Sequence, residues 1–277
     1  MKTIFKVLPL CVCLIIFSCG DEGLKKVEQL TEFRVLGIVA SAPEVAPGGV
    51  SNLTLIVSDP NGGGRTLVGD VELCTDPGIA LGASVSCAHD SAKVSTTYSI
   101  NTITDTDLGA ANLYTGLATS SLAVTVPATI LTGRTAREQF NGVAYLAIFT
   151  FNDNGRQVRA FKRIIATNRA SLNTNPTASA INLNGSAITT RPGVGDALSV
   201  TTSGAETYDI QNVDGTVESR SESFEAAWFV TAGEINAPQS LASSAVRYKS
   251  IQAGVAMVVI VVVRDERGGL AFRRASL

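Results

Sequence analysis

A single histidine, His89, sets the first bound on the chemistry this chain can do. A Ser-His-Asp hydrolase needs a histidine between nucleophile and carboxylate. His89 lies in the polar stretch SCAHDSAK, two residues after Cys87, and reads as a solvated loop residue. Zinc asks for three or four clustered His and Cys ligands, and of the five cysteines only Cys74 and Cys87 are near His89 in sequence, so no metal site is assigned. Gly62-Gly63-Gly64 lacks the Lys-Ser/Thr and helix start of a phosphate loop. Two acid pairs are close in sequence, Asp105 with Asp107 and Asp265 with Glu266. Paired carboxylates can cleave a glycosidic bond, yet both pairs fall in turn contexts where acids serve the backbone. Acids also end strands in SDPNGGG, FNDNGR and VRDERGG, places where sandwich loops bind calcium, but without the dense spacing of an EF-hand loop. No catalytic set and no cofactor emerges from these residues.

The remaining cysteines take their meaning from the first residues. Lys2 and Lys6 precede an apolar run from Val7 to Phe17, which exits through Ser18, Cys19 and Gly20. A charged start, a short apolar core and a small-residue exit predict a signal peptide over residues 1–18. The run is shorter than the ~20 apolar residues of a membrane-spanning helix. Ile16-Phe17-Ser18-Cys19 resembles the lipobox of bacterial lipoproteins, with Phe17 departing from the small or aliphatic residue usual there. That resemblance implies cleavage before Cys19, a diacylglycerol on its thiol and an acyl chain on its amino group. Two or three chains hold a membrane firmly, where one at ~0.8 kcal/mol per buried CH₂ is marginal. Gly20 in place of Asp resembles the enteric sorting signal for the outer membrane. With Cys11 and Cys13 in the leader and Cys19 lipidated, Cys74 and Cys87 remain as an even pair in an exported chain, predicting a disulfide. Closing a loop of that size contributes roughly 3 kcal/mol in the chain-entropy model. Export also leaves no free thiol for cysteine catalysis.

Composition bounds the partners and the fold. Without the leader, 20 Lys and Arg stand against 24 Asp and Glu, a net charge of −4. That balance argues against nucleic acid, which demands a basic face. About 259 residues suit two domains, and a chain rich in Val, Thr, Ser, Ala and Gly suits strands and turns. Val50 to Ser58 alternates Leu53, Leu55 and Val57 with Asn52, Thr54 and Ser58, the period of a half-buried strand. Arg34 to Val39 is a strand before it, and APEVAPGG is a turn between them. VAYLAIFTF, NDNG and RQVRAFKRIIAT form a hairpin on Asn154-Gly155. TAREQFNG supplies a helical turn or two ending at Gly142, while residues 70–141 otherwise look irregular.

NRASLNTNPTASAINLNG reads as a polar joint, placing the boundary near Asn173. The second half restarts the same grammar with ASAINLNGSAI, the turn TRPGVGD and ALSVTTS. Phe224, Ala226, Trp228 and Val230 share a strand face, with Trp228 in a core. Nine apolar residues, Val255 to Val263, are too few to cross a bilayer and predict a central strand buried on both faces. The expected fold is all-β: signal peptide 1–18, lipidated tether 19–32, a first β-sandwich 33–172 and a second 173–277.

The stretches RVLGIVASAPEVAPGG, NTNPTASAINLNG, WFVTAGEI and VVRDERGG together resemble Gram-negative surface lipoproteins made of tandem immunoglobulin-like domains. What the resemblance implies is a non-catalytic binding or structural module of the cell envelope. Its partners would be membrane lipid, through the acyl chains, and an envelope protein or polysaccharide. A lipoprotein subunit of a secretion or motility assembly and a carboxylate-based surface hydrolase stand as alternatives.

Overall fold

The computed structural model describes residues 26–60, 65–78, 84–101, 114–117, 120–250 and 256–277. The leader, Cys19, Gly62 to Gly64 and the Asp105/Asp107 pair lie outside the described residues. In chain order the first part carries β1 (Arg34–Ala40), β2 (Glu44–Val45), β3 (Val50–Asp59), β4 (Thr66–Thr75), β5 (Val94–Asn101), β6 (Tyr114–Leu117), β7 (Leu122–Thr125), α1 (Ala136–Asn141), β8 (Val143–Asp153) and β9 (Arg156–Ala166). These strands make two sheets, β1-β3-β6 with β7 also on β3, and β2-β9-β8-β4-β5. Their inward residues meet in one core, where Leu53, Leu55 and Val57 face Val71, Phe149 and Ile164. Phe33 and Phe151 pack edge to face in that core at 5.7 Å between ring centroids, the geometry aromatic quadrupoles prefer.

The second part carries β10 (Thr177–Leu183), β11 (Ser186–Ala187), β12 (Ala197–Ser203), β13 (Thr207–Gln211), β14 (Val217–Ser221), β15 (Glu225–Val230), β16 (Glu234–Ile235), β17 (Gln239–Leu241), β18 (Val246–Ser250), β19 (Val258–Arg264) and β20 (Leu270–Ser276). Sheets β11-β10-β12-β18-β16 and β17-β15-β19-β20 enclose a core around Trp228, Tyr248 and Val261, and β13-β14 stands apart as a hairpin. The fold is an all-β sandwich architecture with one short helix among the described residues.

Local signals explain most elements. Asn154 and Gly155 adopt φ of 53° and 86°, the positive pair that a two-residue turn needs to match strand twist. Thr135 caps α1 and shares a capping box with Glu138, and Gly142 closes it at φ 95°. β19 lies between β15 and β20, with Val259, Val261 and Val263 in the second core. Val258, Ile260 and Val262 form a third cluster with Leu36 and Ile56 of β1 and β3. The apolar run is therefore central and buried on both faces. Gly37 sits at that junction, where a Cβ would lie 3.0 Å from Leu270 Cδ1.

Four features differ from the sequence reading. Thr66–Thr75, which runs into the stretch that looked irregular from residue 70, is a ten-residue strand paired with both β5 and β8. Its alternation of Leu67, Val71 and Leu73 is broken at Gly69, whose absent Cβ makes room for the Phe151 ring 2.6 Å away. APEVAPGG is not only a turn, because Glu44–Val45 pairs parallel with Ile165 and Ala166. Residues 26–32 are docked rather than free: Leu30 N donates to Val230 O at 3.0 Å, Lys26 pairs with Glu234 at 2.5 Å, and Leu30 is buried. Asn173 is only 3% exposed although its surroundings read as a polar joint.

Candidate functional site

Two adjoining features gather the buried Glu44, Lys162, Glu222 and Asp265. The first is an ion-pair network at the turn between β19 and β20. Asp265 Oδ1 accepts from the backbone N–H of Arg267 at 2.9 Å and of Gly269 at 2.6 Å, which fixes the turn. The turn projects Arg267 onto Glu222 at 2.8 Å, onto Glu44 at 3.4 Å and onto Glu206. Arg267 also lies over the Tyr208 ring, 4.7 Å from its centroid. Arg169 reaches Glu44 from the other side at 3.0 Å. The Asn173 backbone N–H donates to Glu44 Oε2 at 2.9 Å and its side-chain amide to Asp265 Oδ2 at 3.1 Å. Glu44 is 1% exposed, and buried carboxylates persist only with such partners.

Beside the network lies a cleft of about 540 Å³ walled by β1, β9 and the β19–β20 turn. Lys162 enters it from β9, on the same side as Ala160 and Ile164 that face the first core. Its Nζ donates to Gly268 O, joining β9 to the turn. Burial pushes the Lys162 ammonium down to about 8, with Asp265 opposing the shift and Arg264 adding to it. Arg264 lines the same cleft and donates to Leu36 O at 3.3 Å. Arg159, at the mouth, donates to Val85 O at 3.1 Å. Val35, Ile38, Phe161 and Leu270 supply apolar wall.

The structure separates the residues singled out in the sequence. Cys74 and Cys87 form a disulfide with Cα atoms 5.7 Å apart, buried against Leu146 and Ile148. His89 is exposed, its Nε2 3.0 Å from Thr75 O. Asp265 and Glu266 do not converge: Asp265 is committed to its turn, while Glu266 accepts from Tyr208 Oη at 3.1 Å and Ser223 Oγ at 2.6 Å. The acids of SDPNGGG and FNDNGR meet at guanidinium groups, with Arg65 holding both Asp59 at 2.8 Å and Asp153 at 2.9 Å. Among the described residues, no three His, Cys, Asp or Glu side chains are grouped to hold a metal ion.

Lys162, Arg264, Glu44, Arg169 and Arg267 escaped the sequence reading. Lys162 alone carried a local signal, since strict alternation along β9 sets it in step with Val158, Ala160 and Ile164.

No family model matches this sequence, and neither does any curated protein. Among solved structures, the crystal structure of dimeric latent PorU from Porphyromonas gingivalis is similar over 93% of this chain and 25% of its own, at 10% identity and a TM-score of 0.23. The chain thus spans about a quarter of that protein's length, and a likeness this faint carries no argument.

Proposed function

We propose that the chain is a lipoprotein of the bacterial cell envelope, anchored to the outer membrane through acyl chains on Cys19. In this reading two tandem immunoglobulin-like sandwiches act as a non-catalytic binding or structural module. The observation that supports it best is the buried Cys74–Cys87 bridge. Such bridges persist in oxidising compartments, which is where a chain led by Lys2, Lys6 and an apolar run is delivered. The junction between the two cores, sealed by the β19 valines and by Glu44 and Arg267, suits a rigid module.

The anchor is tested by growing cells with an alkyne-bearing palmitate analogue. Wild-type chain takes the label and the Cys19→Ala variant takes none; label persisting on Cys19→Ala would remove the anchor. Intact-mass measurement before and after reduction checks the compartment. Protein taken from cells should gain two hydrogens on reduction, and a chain that already carries free thiols contradicts export.

A further inference from the structure

We infer that the cleft between β1, β9 and the β19–β20 turn is a binding site for a small organic anion, whose charged group is held by Lys162 and Arg264. The inference goes beyond the proposed anchoring and does not rest on it. Charge is the first argument. Lys162, Arg264 and Arg159 donate only to main-chain carbonyls, of Gly268, Leu36 and Val85, and none is ion-paired among the described residues. Neighbouring cations are neutralised, Arg163 by Asp76 and Arg267 by Glu44, Glu206 and Glu222. Asp265 and Glu266 also line the cleft, but Asp265 accepts from the turn's own N–H groups and Glu266 from Tyr208 and Ser223, so among the described residues the three cations make no salt bridge there.

Unused donors are the second argument. A lysine ammonium has three N–H donors, and Lys162 makes one hydrogen bond, to Gly268 O, while being 8% exposed. Leaving such donors unsatisfied in a buried place is costly, and charge-assisted bonds to an anionic oxygen are the strong remedy. Asp265 attracts Lys162 and Arg264 repels it less strongly; an anion between Lys162 and Arg264 offsets that repulsion and attracts both cations.

Shape gives the class of ligand. A cleft of about 540 Å³ falls within the ~300–1,000 Å³ of small-molecule sites. Val35, Ile38, Leu270 and the exposed Phe161 favour a ligand with an apolar body. A carboxylate or a phosphate monoester on such a body presents the same acceptor oxygens.

The test is calorimetric titration of the full chain, produced with its own leader and held in mild detergent, at pH 7 and low salt. The probes are benzoate, phenyl phosphate and the neutral benzamide. Saturable binding is expected for at least one anion with a dissociation constant near or below about 1 mM, and the tighter anion identifies the charged group. Lys162→Met and Arg264→Met should each weaken it at least about tenfold, whereas Arg220→Met, which lies outside the cleft and is held by Glu218, should change it less than about twofold. Because Arg264 is exposed, its variant carries the test even where Lys162→Met fails to fold. The site is overturned by benzamide binding as well as the anions, by unchanged affinity in Arg264→Met, or by no saturation below about 50 mM of either anion. Palmitate labelling reports on Cys19 separately, so the two readings fail independently.

Discussion

Lys162 couples the fold to pH in a definite direction. Its ammonium is pushed down to about 8 from 10.5 by burial. Below pH 8 the folded and unfolded chains both carry the proton, and the cost of burying the charge is fully present. Between about 8 and 10.5 the unfolded chain keeps the proton and the folded one releases it, so stability rises with pH; above 10.5 the cost is gone. The rise amounts to about 3 kcal/mol. Urea unfolding at pH 7 and pH 10 should show wild type gaining about 2 kcal/mol of that rise on Lys162→Met, and parallel shifts in both proteins would sink the assignment. Lysine on the core-facing side of a strand was visible in VRAFKRII as a break in alternation. What the break meant was not, because the covering turn comes from a residue 106 positions away, Gly268.

Elements were legible where the deciding physics is local. The hairpin on Asn154-Gly155 and the capping box at Thr135 each sit within a few residues, and both stand in the structure. β4 was not legible, because Gly69 interrupts its apolar side for the sake of Phe151, a contact only the folded sheet reveals. The same distinction separates two glycines in tight turns. Gly155 has open space around its Cβ position, so Gly155→Ala meets only the left-handed backbone penalty, about 1 kcal/mol. Gly233, at φ +78°, has Tyr248 Oη and Ser250 O where a Cβ would go. Gly233→Ala should therefore cost about 3 kcal/mol or more; thermal melts of the two variants make the comparison, and equal losses would contradict it. Removing the disulfide by Cys74→Ser with Cys87→Ser should cost roughly 3 kcal/mol, read by urea midpoints.

At the scale of the whole molecule, Glu44 comes from β2, Arg169 from the segment between β9 and β10, and Glu206, Glu222 and Arg267 from residues after β12. Nothing local announced this meeting, since each residue alone reads as an ordinary surface charge. Glu44→Ala leaves the buried Arg169 without its carboxylate and takes one of three from Arg267, so it should cost about 3 kcal/mol or more, and adding Arg169→Met should cost much less than its own single effect. A denaturation double-mutant cycle measures that coupling, and simple additivity would mean the network does not join the parts. Seen from the N-terminus, the junction has a mechanical side. Residues 26–30 clip onto the end of β15 before the chain turns into β1. A drag applied ahead of residue 26 therefore loads β15 and its sheet first, through a short latch of two backbone bonds, Lys26 and Leu30. Only when that latch lets go does the load pass to β1, with residues 26–32 drawn out to a span of at most roughly 25 Å.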